Sequence, residues 1–127
     1  MNPTGTDGMK KILDAVGRPV NFGYPSGEED KKGILKDRSV LYTGTTSTGI
    51  NYWDVVDLIE FPNETNPDWI RIGYYREQND KLIWAGKNTI TEPVDIWKKL
   101  LVNAAREKVW FKNLLEEVQL ELKAIQT

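Results

Sequence analysis

The chain contains no cysteine and no histidine. Disulfides, zinc sites of the usual type, thiol nucleophiles and Ser-His-Asp triads are therefore excluded. Any catalysis would fall to Asp, Glu, Lys, Tyr, Ser or Thr. A hard-metal site built from carboxylates alone stays open. No apolar run approaches the ~18 to 20 residues that cross a bilayer. The opening MNPTGTDGMKK also lacks the apolar core of a secretion signal. The expectation is a soluble, cytoplasmic protein with no membrane contact. An excess of basic charge is missing too. Residues 1–92 carry 11 basic and 14 acidic groups, a net −3, and residues 93–127 carry 6 and 5, a net +1. Neither half has the Lys and Arg surplus that supplies affinity for phosphate backbones, so nucleic acid is not an expected partner.

What is present is an ordinary globular composition, with 39% apolar and 28% charged residues over 127 positions. One domain is the default at this length, and the chain is too apolar for a disordered one. Residues 1–8, small and polar, read as frayed. MKKILDAVG forms a short helix that Gly17 stops. In RPVNFGYPSG, Val20, Phe22 and Tyr24 alternate with Pro19, Asn21 and Gly23, the period of a half-buried strand. Pro25-Ser26-Gly27 ends it, and EEDKK is a solvated loop tip. GILKDRSVLYTG supplies a second strand, Ile34 to Tyr42, with a break near Lys36-Asp37.

Gly44 to Gly49 has the G-x-x-x-x-G spacing of a phosphate-binding loop. That loop needs a Lys next, to reach the phosphates, and a Ser or Thr to hold magnesium. Ile50 and Asn51 follow instead, so the segment is a hairpin connection. No cofactor is implied anywhere in the chain.

YWDVVDLIEF is a third strand, and its more apolar face is Trp53, Val55, Asp57, Ile59 and Phe61. Pointing that face to the core takes Asp57 with it, and a carboxylate there must be hydrogen-bonded or sit at the rim. Asp54, Asp57 and Glu60 are the carboxylates that suggest a metal-dependent enzyme. Spacing by three on a strand puts Asp57 on the face opposite the other two, so they do not converge. PNETNPD is a turn. WIRIGYYREQNDKLIWAG is then a hairpin of two strands. A turn at Glu77–Asp80 would pair Arg76 with Lys81 and Tyr74 with Ile83. Ile70, Ile72, Tyr74 and Ile83 would form the core side, while Trp84 would cover the bare backbone of Gly73 on the other.

Thr91 can cap a helix with Pro93 in its first turn. Its apolar stripe runs through 94, 97, 101, 104, 111, 115, 118, 122 and 125, and Lys108 interrupts it. A single helix of ~30 residues and a pair broken near Arg106–Val109 both fit this pattern. Trp97 and Leu101 would pack on Trp84.

The expected architecture is α+β: a small antiparallel five-stranded sheet or barrel over residues 18–90, with a helix or helical hairpin over 93–125. The segment DVVDLIEFPNETNPDWIRIGYY resembles two strands and the acidic turn of SH3-like or Tudor-like barrels. That likeness implies binding of peptides, modified side chains or RNA between loops, with Tyr42, Tyr52, Trp53 and Trp69 as the aromatic candidates. The leading expectation is a non-catalytic module that binds a partner protein or itself. Its two surfaces would be an aromatic sheet face carrying Trp69, Arg71 and Tyr75, and the C-terminal helix. A homodimer would pair Leu115, Val118, Leu122 and Ile125, with Trp110 and Phe111 at the edge. The alternatives are the carboxylate enzyme and a small-ligand barrel lined by Trp53, Tyr74 and Trp84.

Overall fold

The structure, a computed structural model, describes residues 7–22, 31–86 and 88–125. The expectations for residues 1–6, for Tyr24, for the Pro25-Ser26-Gly27 turn and for most of EEDKK lie outside them. Two compact units follow each other along the chain, residues 1–90 and residues 91–127.

The first unit is an antiparallel meander in the order β1 (Pro19–Phe22), β2 (Lys31–Thr45), β3 (Asn51–Glu60), β4 (Asp68–Gln78) and β5 (Lys81–Trp84), preceded by a helix, α1 (Asp7–Asp14). The sheet curls into a half-barrel. The strands expected from the sequence are all present. Lys36, where a break was expected, is a β-bulge: the β2–β3 register slips by one residue between Leu35 and Asp37. A second irregularity, between Tyr42 and Gly44, lies just before the connection from Thr46 to Ile50. There the Ile50 amide donates to Thr46 Oγ1 at 3.0 Å, and the Thr46 amide donates to the Ile50 carbonyl at 2.8 Å. The segment closes a hairpin.

Two expectations about the core face were incompatible, and the register shows why. Val55 pairs with Gly73 and Asp57 with Arg71, so the Trp53–Phe61 face of β3 continues onto Trp69, Arg71, Gly73 and Tyr75 of β4. The clusters Ile12–Trp53–Val55 and Leu35–Ile59–Phe61 occupy that face. Ile70 and Ile83, expected on the core side, lie on the other face and are about 40% exposed (40% and 39%). The β4–β5 turn is also tighter than expected. Gln78 pairs with Lys81, leaving Asn79-Asp80 as a two-residue turn with φ of 53° and 62°. Both angles suit the type I′ turn, whose twist matches that of the strands. The pairing is therefore shifted by two residues, which keeps the same side chains together on each face of the hairpin.

On the core face α1 packs with Ile12 fully buried, and Met9 lies against Trp53 and Val55. Gly17 ends this segment at φ 94°, a conformation that costs a residue with a Cβ. Its amide donates to the Leu35 carbonyl at 2.6 Å, tying the helix exit to β2.

The second unit holds α2 (Val94–Glu107) and α3 (Val109–Ala124). The one-helix alternative does not hold: Lys108 is extended, φ −128° and ψ 117°, and serves as C-cap of one helix and N-cap of the next. It is the residue that interrupts the apolar stripe. Its amide still donates to Ala104 at 2.8 Å, and its carbonyl accepts from Phe111 and Lys112. The cap of α2 is a correction. Pro93, not Thr91, holds the N-cap position, with no side-chain hydrogen bond, because φ −56° and ψ 153° place it outside the first turn. No helix among the described residues is long and apolar enough to cross a membrane.

Candidate functional site

Asp57 is the centre of the most highly charged place in the interior. β3 turns it inward with Val55 and Ile59, and its exposure is 0%. An apolar-face carboxylate needs counter-charge, and two arginines on flanking strands provide it. Arg38 of β2 grips it with both ends of the fork, Nε to Oδ1 at 2.6 Å and Nη2 to Oδ2 at 3.0 Å. From the other side, Arg71 of β4 donates Nε at 3.1 Å and Nη2 at 2.9 Å, both to Oδ2. The register puts these residues in one row, Arg38–Asp57–Arg71 across three strands. Arg38 Nη1 also donates to the Ile12 carbonyl of α1 and to the Tyr75 hydroxyl, each at 2.8 Å. A single buried guanidinium thus joins α1, β2, β3 and β4.

Aromatic rings close the cluster. The Arg71 guanidinium lies 4.7 Å from the Trp84 ring centroid, and Arg38 lies 5.1 Å from that of Tyr75. Tyr75 and Trp84 pair directly across β4 and β5, with ring centroids 4.9 Å apart. Trp84 has room because Gly73 has no side chain: a Cβ there would sit 2.4 Å from Trp84 Cη2.

Burial pushes the Arg38 guanidinium down, but the hydrogen bond and charge of Asp57, and then Tyr75, outweigh it and hold it above its ordinary value. Arg38 is therefore a permanent cation. Asp57 accepts four hydrogen bonds from two permanent cations and has no contact with solvent. A general base needs a free lone pair and a path to substrate, and a metal ligand needs the same. This arrangement is built to hold the sheet together.

Several of the sequence's site candidates meet here, and others are scattered. Arg71 and Tyr75 are half-buried members of the Asp57 cluster. Trp69, on the same face, is 45% exposed; its Nε1 donates to the Asn66 carbonyl at 2.7 Å and its ring stands edge-on to Phe61. Trp53 is wholly core, beside Tyr42 at 5.7 Å. Tyr52 stacks with Tyr74 on the opposite face at 6.2 Å. The four aromatic cage candidates therefore divide between two faces. So do Trp53, Tyr74 and Trp84, since Tyr74 lies across the sheet from the other two and α1 fills the core face. Asp54 and Glu60 lie on the face opposite Asp57, as their spacing implied. No group of three His, Cys, Asp or Glu residues placed to hold a metal occurs among the described residues. On α3, Phe111 is 2% exposed and edge-on to Trp110, which is half-buried, as is Leu115; Val118, Leu122 and Ile125 are 42%, 60% and 63% exposed.

Arg38 and the placement of α1 on the core face are the parts that sequence reasoning missed. The signal was available for Arg38: a carboxylate forced onto an apolar face demands a cation in a neighbouring strand. For α1 no local pattern says which face an eight-residue helix will cover.

No protein-family model, no curated protein and no solved structure matches this chain.

Proposed function

We propose that the protein is a non-catalytic interaction module that binds a helical partner, a second copy of itself included, through the C-terminal half of α3. One observation carries the reading. Val118 and Leu122, four apart on one side of α3, and Ile125, its C-cap, are 42–63% exposed. An apolar helical stripe left in water loses roughly 1.5–3 kcal/mol of burial per large side chain, and an apposed stripe recovers it. Leu115 continues the stripe and Trp110 borders it. Phe111, already covered, contributes by supporting Trp110. The saturated Asp57 cluster adds weight, because the most charged place in the interior offers no reactive group. Two-fold pairing of identical stripes is the simplest occupant.

Sedimentation equilibrium at micromolar concentration tests the reading. The wild type should self-associate reversibly, and Leu122→Glu should weaken that association with unchanged circular dichroism. A Leu122→Glu chain that associates as strongly as wild type would refute the role of α3.

A further inference from the structure

We propose a second, independent interaction surface: the outer edge of β4 pairs with the same edge of a second copy of the chain, strand to antiparallel strand. β4 has eleven residues but β5 only four, so β5 covers β4 only from Tyr75 to Gln78. Beyond that ladder the Ala85 amide still donates to the Tyr74 carbonyl at 3.0 Å, and the chain then turns away as Asn88 donates back to Ala85.

Antiparallel ladders alternate, so backbone groups two residues apart point to the same side. Tyr74 faces the β5 side. Ile72, Ile70 and Asp68 therefore aim their N–H and C=O groups past the end of β5, while Trp69, Arg71 and Gly73 bond to β3. Among the described residues no backbone group pairs with Ile70 or Ile72 on that edge. Ile70 is 40% exposed and Trp69 45%. An edge of this kind is a template for strand addition.

The side chains select the occupant and the register. A two-fold axis through Ile70 pairs Ile70 with Ile70 and places Trp69 opposite Arg71 of the second copy, twice. An aromatic ring against an arginine stem and guanidinium is a favourable cross-strand pair. Centring on Arg71 instead sets two guanidiniums opposite each other. Centring on Trp69 opposes Arg71 to Pro67 and forms no Trp69–Arg71 pair. Of these three isologous registers, the Ile70 one, whose next pair is Asp68 with Ile72, is the one that sets Trp69 opposite Arg71 twice.

The test uses Leu122→Glu as background, so that α3 cannot supply the association. That chain should still dimerise with rising concentration. Ile70→Pro added to it should leave a 14.6 kDa monomer, because proline removes a donor that points off the edge and leaves the β3–β4 ladder intact. Ile70→Lys, which keeps the N–H but sets like charges together at the axis, is the second variant and should also give a monomer with wild-type circular dichroism. Amide exchange at Ile70 and Ile72 in the Leu122→Glu chain should slow at least tenfold between dilute and concentrated samples. The proposal is overturned if the Leu122→Glu chain is monomeric at ~100 μM. A dimer that persists in a folded Ile70→Lys variant overturns it equally.

Discussion

Replacing Asp57 with alanine should be the most damaging single change in the sheet. The carboxylate is fully buried and accepts from both Arg38 and Arg71. Without it Arg38, 2% exposed, is left as a buried cation whose remaining side-chain hydrogen bonds go to the neutral Ile12 carbonyl and Tyr75 hydroxyl. Removing one partner of a buried pair costs ~3–5 kcal/mol. Native domains have only ~5–15 kcal/mol in total, so the melting temperature should fall on the order of 10–20 °C. Arg71→Met should cost far less, about 1 kcal/mol, since its side chain is 22% exposed and bonds only the oxygen that Arg38 already contacts. Arg38→Met/Asp57→Leu, which removes the innermost pair together, should recover at least half of the Asp57→Ala loss, because no buried charge is orphaned and Arg71 can turn toward water. Urea unfolding followed by tryptophan fluorescence measures all three against the wild type, together with the two single variants of the double. A loss under ~1 kcal/mol for Asp57→Ala, or a double variant as unstable as the sum of its singles, would refute this account.

Gly73→Ala should destabilise by ~1–3 kcal/mol in a thermal melt, since its Cβ would meet the Trp84 ring at 2.4 Å, and most of that loss should vanish in a Trp84→Leu background. Trp84→Ala alone should cost ~3 kcal/mol by urea titration, because the ring covers Gly73 and stacks on Tyr75 and Arg71. Asp80→Gly should raise stability by ~0.5–1 kcal/mol, as Asn-Gly is the preferred pair for a turn with both φ values positive. Arg38 is held above its ordinary pKa, so its stabilisation is complete below the unfolded value and is lost only as pH rises through the higher folded one. Urea midpoints between pH ~6 and ~9 should therefore show no step from Arg38.

Local pattern was enough for much of this protein. Alternation along Trp53–Phe61 marked a strand and the face it buries, and the isolated Asp57 on that face required either hydrogen-bond partners or a place at the rim. Gly73 and Trp84 matched as an empty site and a ring to fill it. Lys108, the one polar residue on an apolar stripe, marked where a helix could divide, and the structure decided that it does. These features depend on side-chain period and on residues within a turn or two of each other, and sequence spacing encodes both directly. Tertiary structure alone decided the rest. It selected Arg38, 19 residues away, as the main counter-charge, because cross-strand neighbours depend on register and a one-residue bulge at Lys36 resets that register. It put α1 on the aromatic face and left Ile70 and Ile83 outside, since each element's apolar side is visible in sequence but the choice of which two sides meet is made by the packing energy of the whole sheet.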